Sequence, residues 1–219
     1  MSLQITNFEI KGLIGMKRFL MVFLFVNLCC LLNINCYAEI YYISDTHFGH
    51  ANIIKYCGRP FKNIEDMNEQ LIKNWNHTVR GEDEVYIIGD FAYGMSSTEE
   101  VFKILEQLNG KKHLLIGNHD KGWLSKTNDS ELLKYFETLP SYMNIIYDSG
   151  RKIGLCHYPI VSFPGTIIHG HIHNNRNEQD GWEFIKNNPN ILNASVEVNG
   201  YTPVTLSQLI YNNTIFKSE

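Results

Sequence analysis

Five apolar runs in this chain end the same way. "YYISDTH" (41–47), "VYIIGD" (85–90), "LIGNHD" (115–120), "IGLCH" (153–157) and "TIIHGHIH" (166–173) each finish on Asp, Asn or His. A fold that buries these runs as strands must find room for every one of those polar side chains where the strands stop. Helical patterns alternate with the runs in the first half. Ile64, Met67, Leu71, Trp75 and Val79 recur at three- and four-residue steps behind Asn63, which predicts a helix over 64–79 with Asn63 as N-cap. Ser97 and Glu100 read as a capping box for a second helix through Leu108, closed by Gly110, and Ser130 is expected to cap a shorter helix to about Leu139. The remainder reads mostly as strands: "MNIIY", "KIGLC", "TIIHG" and "ASVEV". Alternating units followed by successive strands predict an α/β sandwich with sheets in the middle and helices outside.

That architecture brings the residues beyond the carboxyl ends of neighbouring strands into one crevice. The inventory there is Asp45, His47, Asp90, Asn118, His119, His157, His171 and His173, all oxygen or imidazole donors. Such donors suit Mn, Fe, Co or Zn. Eight groups exceed the needs of one ion, and two ions roughly 3.5–4 Å apart fit better, the spacing of a clamp for in-line attack at phosphorus. Taken singly, any of these residues is more often a cap, a turn residue or a hydrogen-bonded core group; the set carries the inference. His77 and His113 fall outside it and read as surface or structural histidines.

Composition bounds the rest. With 219 residues, 44% hydrophobic and 19% charged, the chain has the makeup of one globular domain. Its formal net charge of −4 supplies no basic field to attract a phosphate backbone, so no stable nucleic-acid partner is expected. Residues 1–38 differ in character from the remainder of the chain. Lys17 and Arg18 precede the apolar stretch 19–34, and "CYA" (36–38) places small residues at a cleavage position, the pattern of a signal peptide with an upstream extension. Met16 is a second candidate start. The stretch is shorter than the roughly 20 residues a bilayer core needs. The expectation is therefore an exported, periplasmic or secreted domain, residues 39–219, without a membrane span after cleavage, against anchored or cytoplasmic alternatives. Removing the segment also removes Cys29, Cys30 and Cys36, leaving Cys57 and Cys156, read as two free thiols.

In order and spacing, Asp45-x-His47, Gly89-Asp90, Gly117-Asn118-His119-Asp120, His157 and Gly170-His171-x-His173 resemble the calcineurin-like metallophosphoesterase superfamily over about residues 40 to 210. "SDTHFGHANII", "GRPF", "LIKNWN" and "SVEV" further resemble a small bacterial and phage-type branch of it. The resemblance implies a single-domain β-sandwich flanked by helices (α/β/β/α) and a hydrolase that uses two divalent metal ions, Mn foremost in vitro, to cleave a small phosphomonoester or phosphodiester by attack of a bridging hydroxide. Asp45, His47 and His173 would bind the first ion, Asn118, His157 and His171 the second, and Asp90 both. His119 would face the phosphate as the catalytic acid or charge stabiliser, and Asp120 would support the turn. His50 and Arg59 stand as substrate-phosphate candidates, with a helical cap and a surface ion pair as their alternatives. Protein Ser/Thr phosphatases of the superfamily carry "DRG" at the bridging Asp, where this chain reads "GDFAYG" (89–94), which removes their phosphate-gripping Arg. Two rivals remain: a metal-dependent nuclease on single strands, which would need basic or stacking residues around the cleft, and a non-catalytic metal-binding scaffold of the same fold.

Overall fold

The computed structural model describes residues 38–178 and 181–219, so the expected signal segment falls outside the described residues except for Ala38. Two four-stranded sheets form the middle of the domain. In the first, β1 (Ile40–Ile43), β2 (Glu84–Ile88) and β3 (Lys111–Leu115) run parallel, and the short β8 (Val204–Thr205) pairs antiparallel with β1. In the second, β4 (Met143–Asp148) is antiparallel to β5 (Arg151–Cys156), while β6 (Thr166–His169) and β7 (Ile191–Asn193) continue in parallel with β5.

Alternation along the first-sheet strands sorts their side chains into two layers. Tyr41, Ile43, Val85 and Ile87 face helices α2 (Ile64–Thr78) and α3 (Thr98–Leu105), which bury Met67, Leu71 and Trp75 and Val101, Ile104 and Leu105. Tyr42, Tyr86, Ile88 and Leu115 face the other way and pack with Ile153, Leu155, Ile168 and Leu192 of the second sheet. On the outside of that sheet, Ile191 meets Trp182 and Ile185 of helix α6 (Trp182–Asn187) and Phe216 near the end of helix α7 (Leu206–Ser218). The order is helix, sheet, sheet, helix. Among the described residues no helix is long and apolar enough to cross a membrane, and Cys57 and Cys156 are both free thiols.

Local signals account for much of this and mislead in four places. Asn63 caps α2, its side chain accepting the Asp66 N–H at 2.8 Å, and the helix ends at Thr78, where Val79 turns extended. The Ser97–Glu100 capping box does not form: Glu100 instead takes the N–H of Ser96 at 3.0 Å and its hydroxyl at 2.6 Å, and α3 stops at Leu105. The helix expected behind Ser130 is the short α5 (Asp129–Leu132), which follows the single turn α4 (Lys121–Leu124) and is capped by Asn128. "ASVEV" is not a strand. Asn193 Oδ1 takes the Ser195 N–H, and Val198, Asn199 and Tyr201 bond back to Ser195 and Val196, so residues 195–201 coil into turns. Helix α7 escaped notice because its buried stripe contains Asn213, which accepts the Asn193 N–H at 2.7 Å, while Tyr211 and Ile215 on the other side are exposed. That arrangement blurs the apolar face by which a helix is recognised.

The start of the first sheet depends on one carboxylate. Asp83 accepts the N–H of Glu39 at 3.0 Å and of Arg80 at 2.8 Å. Burial alone would raise its pKa, but these donors and the Arg80 guanidinium hold it below the ordinary value. A depressed folded-state pKa contributes stability that is present above the unfolded value, about pH 4, and is lost as pH falls through the folded value. Asp83→Asn is expected to cost about 1–2 kcal/mol at pH 7. The gap in urea unfolding free energy between wild type and variant should narrow steadily as pH falls below about 4; a gap that stays constant as the carboxyl protonates would refute the assignment.

Candidate metal centre

Each run that ends on a polar residue is a strand whose carboxyl end opens on the same crevice. Asp45 and His47 follow β1, Asp90 follows β2, Asn118 and His119 follow β3, His157 follows β5, and His171 and His173 follow β6. The loops are laced together: Asp45 N–H bonds Gly89 O, His47 N–H bonds Asp90 O, Ser44 N–H bonds Ala194 O, and Gly170 N–H bonds His157 O. Backbone conformation is unusual here. Asp45, His47, Asp90, His171 and His173 all have φ between 53° and 72°, the left-handed region that costs a non-glycine residue roughly 1–2 kcal/mol. Five such residues in one crevice show the fold holding side chains where local preference would not put them. The glycines beside them have a related cause. A Cβ at Gly117 would run into the Asp90 carboxylate, and one at Gly170 into Ser44 and the Asp45 carboxylate.

Six of the seven expected ligands form a closed ring of contacts, and His173 joins it at Asp45. His47 Nε2 lies 4.0 Å from Asp45 Oδ1 and 3.5 Å from Asp90 Oδ2. Asp90 Oδ2 lies 3.4 Å from His157 Nε2, which is 3.1 Å from Asn118 Oδ1; that oxygen is 3.0 Å from His171 Nδ1. The backbone N–H of His171 returns to the Asp45 carboxylate at 3.1 Å, and His173 Nε2 stands 3.8 Å from Asp45 Oδ1. His47 Nε2 is buried and has no hydrogen-bond partner, the condition of a nitrogen aimed at a cation. Ligand atoms of Asp45, His47 and His173, and again of Asp45, Asp90 and His157, all come within 4.8 Å of one another. These residues fit divalent cations.

Charge points the same way. Burial drives the His47 pKa down to about 2 despite Asp90, leaving the neutral imidazole that a ligand must be. Burial also opposes protonation of His157, yet its bond to Asp90 and the Asp45 charge push its pKa up to about 9; Asp45, Cys57 and Glu197 likewise outweigh burial at His173 and raise it to about 11. Carboxylates that hold protons on two buried imidazoles create a strong local demand for positive charge.

Around the ring stand groups that position it. Asp120 is fully buried and accepts four N–H bonds, from Asp90 at 2.8 Å, Phe91 at 2.9 Å, Gly117 at 2.9 Å and the Trp123 indole at 3.1 Å. It ties the β2 and β3 loops together, and although burial pushes its pKa up to about 6, four donors favour the ionised form at neutral pH. His50 Nδ1 meets His47 Nδ1 at 3.1 Å, so one imidazole orients the other and leaves His47 Nε2 for the crevice. Helix α1 (Ala51–Tyr56) begins after His50, whose side chain makes no cap bond.

Arg59 is a correction. It is neither a phosphate clamp nor a surface ion pair: its guanidinium is buried behind the ring, bonded to Glu197 Oε1 at 2.9 and 2.7 Å, to Thr46 O at 2.9 Å, to Asp45 O at 2.7 Å and to Met67 Sδ at 3.4 Å. No donor is left for a substrate. Its partner Glu197, unnoticed in the sequence because it sits in the falsely strand-like "SVEV", accepts from His173 Nδ1 at 3.0 Å. Burial would raise the Glu197 pKa, but His173 and Arg59 lower it to about 2. Ser195 also went unnoticed, and its hydroxyl donates to Asp45 Oδ2 at 2.8 Å. His169 stays out of the ring, fully buried with Nδ1 on Gly170 O.

A sequence model of the calcineurin-like phosphoesterases matches residues 38–197. The chain belongs to that family. Within it, the uncharacterized protein MJ1445 of Methanocaldococcus jannaschii is 42% identical over 176 residues, covering 78% of this chain and 89% of that protein. The Gene 66 protein of Mycobacterium phage D29 is 26% identical over 133 residues, 57% of this chain and 65% of that protein. Among solved structures, the protein of unknown function AQ665 from Aquifex aeolicus shares 31% identity at a TM-score of 0.59, covering 78% of this chain and 97% of that one.

Proposed function

We propose that the chain is a dinuclear-metal-dependent hydrolase of a small phosphomonoester or phosphodiester. The observation that carries this is the cluster of seven donors, in which the Asp90 carboxylate approaches His47 on one side and His157 on the other. Asp45, His47 and His173 would hold one cation, Asn118, His157 and His171 the other, with a carboxylate oxygen of Asp90 available to each. Divalent ions bound there supply Lewis acidity toward phosphoryl oxygens and bring the pKa of water near neutrality.

The chain's own residues do the rest. His119 is tethered by its backbone N–H to Asp90 Oδ1 at 2.8 Å, and its side chain, 32% exposed, reaches the open side of the crevice with Nε2 4.0 Å from Asp90 Oδ2. From there it can stabilise charge on phosphate or protonate the departing oxygen. Oxygen and imidazole donors favour Mn, Fe, Co or Zn. The test is to strip the purified chain with chelator, add Mn or Co, and assay p-nitrophenyl phosphate and bis(p-nitrophenyl) phosphate. Turnover should be lost without metal and return with it; no turnover of either ester, with fewer than one ion retained per chain, would refute the reading.

A further inference from the structure

The metal crevice opens beside His119 into a cavity of about 450 Å³, bordered by Asn118, Tyr93, Met95, Trp123 and Lys126. That volume lies in the range of small-molecule pockets, roughly 300–1,000 Å³, and far exceeds what a bare phosphate needs. Its wall is aromatic. Tyr93 stands edge-on to two site histidines, its ring centroid 4.4 Å from His119 and 4.6 Å from His50, yet remains 43% exposed. Two more exposed tyrosines touch the site: Tyr158, 4.7 Å from His171, and Tyr56, 6.2 Å from His50. Three of the six exposed tyrosines among the described residues therefore rim one polar crevice. Charge and hydrogen bonds suffice to grip an aliphatic phosphate, whereas fixed exposed rings add attraction for a flat partner. Among the described residues Lys126 is the one cation in the lining, and the formal net charge of −4 supplies no long-range basic field to attract a polynucleotide.

Resting on the phosphoesterase reading, we propose that the substrate is a small phosphate ester carrying a planar aromatic group of nucleoside dimensions, seated against Tyr93 in the cavity beside His119. Binding to the manganese-loaded chain can be measured by calorimetry with two phosphonates that cannot be hydrolysed, phenylphosphonate and methylphosphonate. The aromatic compound should bind about tenfold more tightly, since a single stacked ring contributes a factor of that order. The preference should collapse toward unity in Tyr93→Ala and survive in Tyr93→Phe and in Tyr158→Ala, whose ring lies against His171 rather than in the cavity lining. In kinetics, thymidine 5′-(p-nitrophenyl phosphate) should exceed methyl p-nitrophenyl phosphate in kcat/KM by a similar factor, the two sharing one leaving group. Equal binding of the phosphonates, or a preference unmoved by Tyr93→Ala, would overturn the proposal while turnover of the methyl ester leaves the phosphoesterase reading standing. If neither phosphonate binds and neither ester turns over, both fall together.

Discussion

If the proposed hydrolysis is catalysed at this site, Asp90→Asn is expected to lower its kcat roughly a thousandfold, equivalent to about 4 kcal/mol of lost transition-state stabilisation. The substitution is chosen because it isolates charge. Asn tolerates the left-handed backbone that Asp90 adopts at φ 54°, and its side-chain oxygen can still accept the His119 N–H now held at 2.8 Å. What disappears is the negative charge that His47 Nε2 and His157 Nε2 approach within 3.5 and 3.4 Å. Metal content by elemental analysis should fall with activity, and the metal-free protein should also lose stability at neutral pH, because the Asp90 charge holds the proton on buried His157. A variant within tenfold of wild type would mean that this carboxylate does not join the two halves of the site.

Arg59→Ala costs about 3–5 kcal/mol of folding stability, a large share of the 5–15 kcal/mol typical of a domain. The reason is the geometry behind the ring. Removing the guanidinium strands the Glu197 carboxylate without its cation and leaves the backbone oxygens of Asp45 and Thr46 without donors in a buried space. Lysine cannot repair this, since a single ammonium lacks the planar fork that now reaches four partners. Denaturant unfolding should find wild type the most stable of the three, with Arg59→Lys closer to Arg59→Ala than to wild type. A phosphate clamp predicts the reverse signature, a raised KM with stability intact, and that result would overturn the structural role.

The long, regular signals in the sequence proved readable. The Ile64-to-Val79 stripe with its Asn63 cap, the three parallel strands and the strand pair 143–156 stand close to where periodicity places them, because a face buried along four helical turns or five strand residues leaves a repeated mark. Short or mixed elements misled. Helix α7 hides its face behind Asn213, and "SVEV" alternates like a strand although the Ser195 amide bonds to the Asn193 side chain and the Val198 amide to Ser195 O, with Val196 reaching across to Ser44 O. Capping partners also slipped: Glu100 takes Ser96 in place of Ser97, and Asn128 caps in place of Ser130, since neighbouring Ser and Asn offer equivalent groups.

What the sequence by itself determined is which groups end the strands and what chemistry they favour: carboxylate, amide and imidazole donors at five strand ends, in the order of a metal-dependent phosphoesterase. Only the tertiary structure decided how they meet. Arg59 finds Glu197 across 138 residues and Ser195 finds Asp45 across 150, contacts for which no local periodicity exists. The left-handed backbone at Asp45, His47, Asp90, His171 and His173, and the tyrosine rim around them, arise because packed sheets and laced loops impose conformations and neighbours that a short stretch of chain would not choose.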